Sequence, residues 1–173
     1  DVAEERKQLA DFRQRFAALS ADKRQDFYVE ARLAKRRLMF RDPDLAALQK
    51  ILFVKRYPYL QSHNYSDILD SQFRPGGGVF VLEIPRKEER LDPAGARLVT
   101  LFDANDGIAR DPMADYDAQK VYFAYRPDKK RTEGREPYWR LMAVSAGGGQ
   151  ARQLTDGPFH DYYPCPLPDG GLS

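Results

Sequence analysis

Apolar residues fall at helical spacing in the first quarter of the chain and gather into short runs thereafter. Leu9, Phe12, Phe16 and Leu19 recur among Lys, Arg, Gln and Glu, which places them on one stripe of an amphipathic helix. Ser20 then supplies an N-cap, and Asp22 an acidic first-turn residue, for a second helix running to about Phe40. Its face carries Phe27, Ala31, Ala34 and Leu38, while Arg32, Lys35, Arg36 and Arg37 make much of the remainder basic. Asp42 followed by Pro43 predicts a cap and first-position proline for a short third helix through Leu45 and Leu48.

From Ile51 the period shortens, and β-branched and aromatic residues lie between Gly, Pro and Asp. The predicted strands are Ile51 to Arg56, Gly78 to Ile84, Arg97 to Phe102, Lys120 to Tyr125, Trp139 to Val144 and Gln150 to Leu154. No helical period intervenes, so an antiparallel meander is expected rather than βαβ units. The charged segments Arg86 to Ala94 and Asp128 to Glu136 read as solvated connections, "GGG" at 76–78 as a flexible turn into a strand, and "GGG" at 147–149 as a hairpin turn. Residues 1–49 are thus a helical segment and residues 50–173 a β segment.

Repetition specifies the kind of meander. "DPMADYDAQKVYF" carries Pro112, then Asp117, then a strand near Val121; "YYPCPLPDGGLS" carries Pro164, then Asp169, then Leu172, displaced by 52 residues. Strands precede each copy in the same order: "GGVFVLEIP" and "ARLVTLFDANDG" before the first, "YWRLMAVSAGGG" and "ARQLTDGP" before the second. The expected fold class is therefore mainly β: antiparallel four-stranded blades of a partial β-propeller preceded by an N-terminal α-helical segment, with a β-sandwich as the alternative.

Composition narrows the class without choosing a function. Of 173 residues, 42% are hydrophobic and 31% charged, enough apolar content to form a core. A formal net charge of +2 gives no electrostatic case for nucleic acid, and no apolar stretch is long enough to span a bilayer. The single cysteine, Cys165, excludes an internal disulfide and any CxxC or CxxCH within these residues. A first residue of Asp1 points to a processed or trimmed product.

"LTDGPFHDYYPCPLPDGG" is similar to the repeat of TolB-type propellers, in which a strand ends in Leu-Thr, a polar turn follows and Pro-Asp-Gly leads into the next strand. "ILFVKRYPYLQSHNYSDILD", "PGGGVFVLEIP" and "PYWRLMAVSAGGGQARQLTDGPFHDYYPCPLPDGG" together resemble the propeller region of hydrazine synthase alpha-subunit-like proteins, and "ARLAKRRLMFRDPDLAALQKILFVKR" resembles the helix leading into it. The likeness covers most of residues 30 to 173. It implies an exported bacterial protein in a periplasmic or otherwise extracytoplasmic location, with the remaining blades of a longer chain, and further protein subunits, as partners. If the full-length protein is an enzyme, the resemblance implies an oxidoreductase of that type, and this segment alone is not expected to be catalytic. The family's enzyme carries c-type haems. Lacking CxxCH, this segment attaches none covalently, and any divalent metal or haem is expected to be held jointly with residues outside it. Two blades cannot close a ring, so the chain is expected to be an N-terminal piece of a larger propeller.

Two histidines mark the candidate sites. In "SHNYSDILDS", His63, Tyr65 and Asp67 alternate and on extended backbone point to one side. In "FHDYYPC", His160, Asp161 and Cys165 lie in the turn before a blade's first strand. His63, Tyr65, Asp67 and Asp161 are the expected ligand-binding groups. His63, Asp67, His160 and Cys165, if they converge, form a mixed N, O and S set suited to a divalent metal. The structural alternative has these polar groups hydrogen-bonding loop backbone and Cys165 buried as a small side chain between prolines. No GxSxG elbow or GK[ST] sequence supports a nucleophile or a phosphate loop. Three functions follow: a ligand, metal or haem module of a larger redox-type protein; a non-catalytic interaction scaffold; and a propeller cap of a hydrolase.

Overall fold

The computed structural model describes residues 3–42, 44–45, 48–58, 73–87, 90–128 and 137–173. The chain divides into two compact units, Asp1–Gln49 with Ile84–Gly95, and Lys50–Glu83 with Ala96–Ser173. No helix among the described residues is long and apolar enough to cross a membrane.

In the first unit, helices α1 (Ala3–Ala17) and α2 (Arg24–Met39) are joined through a 3₁₀ turn, Ala21–Lys23. Ser20 has the extended backbone of a cap (φ −70°, ψ 156°), but its side chain makes no capping hydrogen bond. The helices run antiparallel. Phe27 meets Phe12 edge-on at 5.6 Å and Phe16 at 6.1 Å, and at the far end Arg41 reaches Glu5 at 2.7 Å. Arg15 lies over the Phe12 and Phe27 rings and forks onto both Glu30 oxygens, at 2.8 and 2.6 Å. That hydrogen bonding holds the Glu30 carboxyl below the usual glutamate range. Ala34 is the one residue of these two helices that is fully buried among the described residues. Asp42 Oδ1 accepts the Asp44 N–H at 3.0 Å, as a cap would; Pro43, Ala46 and Ala47 of the expected third helix lie outside the described residues. Arg86 to Ala94 is more than a solvated connection: β3 (Arg86–Lys87) pairs antiparallel with β4 (Arg90–Leu91), and Leu91 is buried. Two-residue strands are too short to show alternation, which is why the pattern gave no sign of them.

The second unit is built from two antiparallel sheets. The first has the order β1 (Lys50–Lys55), β2 (Gly78–Glu83), β5 (Arg97–Asp103); the second runs β6 (Gly107–Ala114), β7 (Lys120–Pro127), β8 (Arg140–Ser145), β9 (Arg152–Gln153). They stack in the same sense, with β1 and β2 against β6 and β5 against β8. Alternation decides what fills the interface. Val79, Val81, Val121, Phe123, Met142 and Val144 occupy every second position and form one buried cluster. A bulge between Val79 and Phe80 lets Leu101 and Phe102 both serve this side, and Phe102 packs at 4.8 Å from Phe123 and edge-on to Tyr125 at 5.1 Å. The other face of the second sheet is also covered: Ile108, Ala124 and Trp139 form a second cluster with Phe73, Leu141 and Tyr162.

Three expectations are corrected here. Pro112 does not sit in a turn ahead of a strand. It lies inside β6, a strand the pattern did not reveal, where the register shifts between Arg110 and Met113. Proline has no N–H to give to a ladder, so it is tolerated where the bulge leaves that position unpaired. The triple glycine at 76–78 is a packing requirement rather than a flexible turn: at Gly77 (φ +87°) a Cβ would stand 1.9 Å from the Lys55 carbonyl oxygen. Cys165 is exposed; the buried neighbours are Pro164 and Pro166.

At one end of the first sheet, Glu83 stands opposite both Lys50 and Arg97, and its carboxylate pairs with Lys50 Nζ at 3.4 Å and with the Arg97 guanidinium. The Arg97 hydrogen bond is the main reason its pKa lies below the ordinary glutamate value. A depressed folded pKa gives stability that is present above the unfolded value and lost as pH falls through the folded one. Glu83→Gln is therefore expected to lower the thermal midpoint slightly at neutral pH and low salt. In thermal scans across pH, the difference from the parent disappears in acid and shrinks in high salt. A difference that grows as pH falls contradicts this.

Candidate functional site

The polar residues of the second unit gather along the outer edge of β8 and beneath the second sheet. β9 pairs by backbone only as far as Gln153, and Leu154 adds one more bond to Leu141. Beyond that point side chains take the place of backbone acceptors. Thr155 Oγ1 accepts the Leu141 N–H at 3.0 Å and His160 Nδ1 accepts the Trp139 N–H at 3.1 Å, while Asp161 N–H returns to the Trp139 carbonyl at 3.1 Å. An edge N–H left dry costs as much as a lost hydrogen bond, so these side chains keep the ladder satisfied over a segment too irregular to be a strand. Arg140 fastens the same segment: its guanidinium donates to the Phe159 carbonyl at 2.8 Å and to the Gly157 carbonyl, and stands 3.5 Å from Asp161 Oδ2.

On the face covered by that segment, Arg110 is held on several sides. Its Nε donates to Asp111 Oδ2 and a terminal nitrogen donates to the Tyr163 hydroxyl, both at 2.7 Å, with the guanidinium over the rings of Trp139, Tyr162 and Tyr163. Arg126, two positions from Ala124 on the same face, is 1% exposed and lies over Phe73 at 5.5 Å. Sequence reasoning missed both arginines. The available signal was a cation alternating in phase with apolar strand residues (Ile108 then Arg110, Ala124 then Arg126), which places it under cover rather than in solvent.

A separate cleft of about 330 Å³ opens at the end of the first sheet from which the β1–β2 connection leaves. Lys55, Tyr57, Thr100, Asp103 and Asn105 line it, a mixed polar set with room for a small anionic or hydroxylated molecule. Asp103 is engaged by Asn105, accepting its backbone N–H at 3.1 Å and its side-chain amide at 2.9 Å. Tyr125 donates to Asp106 at 2.5 Å, and burial pushes its phenol up to about 12. The cleft therefore offers hydrogen-bonding groups and two cations, Lys55 and Arg56.

Of the residues expected to form a site, His63, Tyr65 and Asp67 lie outside the described residues. His160, Asp161 and Cys165 are described and have separate attachments: His160 to the β8 edge, Asp161 to Arg140, and Cys165 through its backbone to Ser173 at 2.9 and 3.0 Å. Among the described residues, no group of three His, Cys, Asp or Glu is placed to hold a metal ion. As placed, His160 serves the β8 edge through Nδ1. Nδ1 faces a donor, so the ring proton sits on Nε2.

No family model, no curated protein and no solved structure matches the chain.

If His160 serves the β8 edge, His160→Ala removes an acceptor from a half-buried N–H and is expected to cost about 1–3 kcal/mol. Thr155→Val should cost a similar amount at the Leu141 N–H. Equilibrium denaturation of both variants checks this; a His160→Ala protein as stable as the parent contradicts a structural role for the ring.

Proposed function

We propose that residues 50–173 are consecutive modules of a β-propeller resembling that of hydrazine synthase alpha-subunit-like proteins, and that the chain acts as a non-catalytic interaction scaffold in an extracytoplasmic protein. The observation that carries the architecture is that the second sheet is buried on both faces, by Phe123 and Val144 on one side and by Ile108, Ala124 and Trp139 on the other. A two-sheet sandwich buries one face of each sheet and leaves the other to solvent; an internal blade buries both.

Backbone geometry at the 52-residue spacing supports the same reading. Asp111 and Tyr163, each directly before a proline, have φ 52° and 54°, and Ala118 and Gly170 have φ 52° and 85°. In both copies the latter residue donates to the carbonyl three residues earlier, Ala118 to Asp115 and Gly170 to Leu167, each at 3.0 Å. The second copy closes with a bridge from Pro166 to Leu172, so it opens a new hairpin as the first opens β6 and β7. Positive φ before proline is sterically disfavoured, and its occurrence at equivalent positions argues for one module used twice.

The scaffold reading rests on where the polar side chains are spent: His160, Asp161, Thr155, Arg140 and Arg110 hold loops to sheets. Metal analysis and visible spectra of the whole protein test it, with His63→Ala and Cys165→Ala alongside. The expected result is no stoichiometric metal and no haem band in any of the three. Stoichiometric metal or haem in the parent that is lost in either variant overturns it in favour of a metal or haem module.

A further inference from the structure

We propose that the face of the α1–α2 hairpin around Lys35 docks an acidic amphipathic helix of a partner protein. The inference gives the scaffold reading a partner class, yet it is decided by different measurements, since metal and haem content bear on that reading alone.

Two adjoining grooves, of about 660 and 430 Å³, share Ala31 and Lys35 as their common wall. One follows a single stripe of α2 through Tyr28, Arg32, Arg36 and Met39; the other lies between α1 and α2, floored by Leu9, Phe12, Ala34 and Leu38. The stripe from Tyr28 to Phe40 is about three turns, roughly 18 Å, the footprint of a short docked helix. The apolar side chains lining the two grooves are not spent within the hairpin: Leu9 is 50% exposed, Tyr28 55%, Leu38 44% and Met39 51%. A two-helix hairpin that fully buries one alanine lacks the core a third helix would complete.

Charge selects the partner. Arg6, Arg32, Lys35 and Arg36 line the two grooves, against one carboxylate, Glu5, whose Oε1 is already taken by Arg41 at 2.7 Å. Among the described residues neither Lys35 nor Arg36 makes an ion pair, and a helix carrying Glu or Asp beside its apolar stripe would meet both. An anionic membrane surface fits less well. Lys35 stands in the middle of the apolar face rather than at its border, so laying this face into lipid would press an ammonium towards the acyl region, whereas a partner carboxylate can reach it.

A displayed library of amphipathic helices of about 18 residues, roughly five turns, with a fixed apolar stripe and all other positions randomised, tests this against the full chain. The expected outcome is enrichment of Asp and Glu flanking the stripe. Selected peptides should bind the Lys35→Glu/Arg36→Glu chain at least about tenfold more weakly, with selection on that chain turning towards Lys and Arg. Met39→Glu should weaken binding similarly while circular dichroism shows the helices intact. Absence of enrichment, or enrichment indifferent to charge, overturns the proposal. So does binding of phosphatidylglycerol vesicles that is lost in Met39→Glu while no acidic peptide is selected, which would assign the face to a membrane surface.

Discussion

Neither the three-stranded nor the four-stranded sheet can keep its apolar face in water, and Phe102 of the first packs against both Phe123 and Tyr125 of the second. Three features of the second unit serve that contact. The bulge in β5 turns Leu101 and Phe102 to the same side, the glycines before β2 let the Lys55 carbonyl approach, and the same-sense stacking sets β5 over β8. Loss of one sheet would leave the other with a row of exposed valines and phenylalanines, so the sheets are expected to stand or fall together.

A second constraint follows from the first. Once one face of the four-stranded sheet is committed, its other face still carries Ile108, Ala124 and Trp139, against which Tyr162 of the segment 154–163 packs. That segment cannot be a regular strand while also turning into the next hairpin. Thr155 and His160 supply acceptors in place of backbone carbonyls, and Arg140 ties the Gly157 and Phe159 carbonyls down. Arg110 joins the two positive-φ positions, donating to both Asp111 and Tyr163. What looks chemically equipped in this region is therefore mostly what holds residues 154–163 to the second sheet.

The sequence made the large alternating runs plain. The expected edges of β2 and β5 lie within one residue of those observed, because Val79, Val81, Val99 and Leu101 mark the buried side without interruption. It hid β6, where Arg110, Asp111 and Pro112 break the alternation and the bulge that accommodates them depends on β7. It also hid the buried Arg126 and the half-buried Arg110, since their cover comes from Phe73 and Tyr163 respectively, each more than fifty residues away in the chain. His160 could be singled out as a chemically able side chain, but the N–H it satisfies belongs to Trp139, and no spacing announces that pairing. The set His63, Tyr65 and Asp67 lies outside the described residues, so only the His160, Asp161 and Cys165 half of the expected site meets the structure.

The claim that the two sheets share one core is tested most directly by amide hydrogen exchange on a Phe123→Ala chain, resolved by strand. Phe123 belongs to β7, whereas Val79 and Val81 belong to β2 of the other sheet. If the account is right, the β2 amides lose protection by the same factor as those of β7. Protection lost in β7 alone, with β2 exchanging as in the parent, would contradict it.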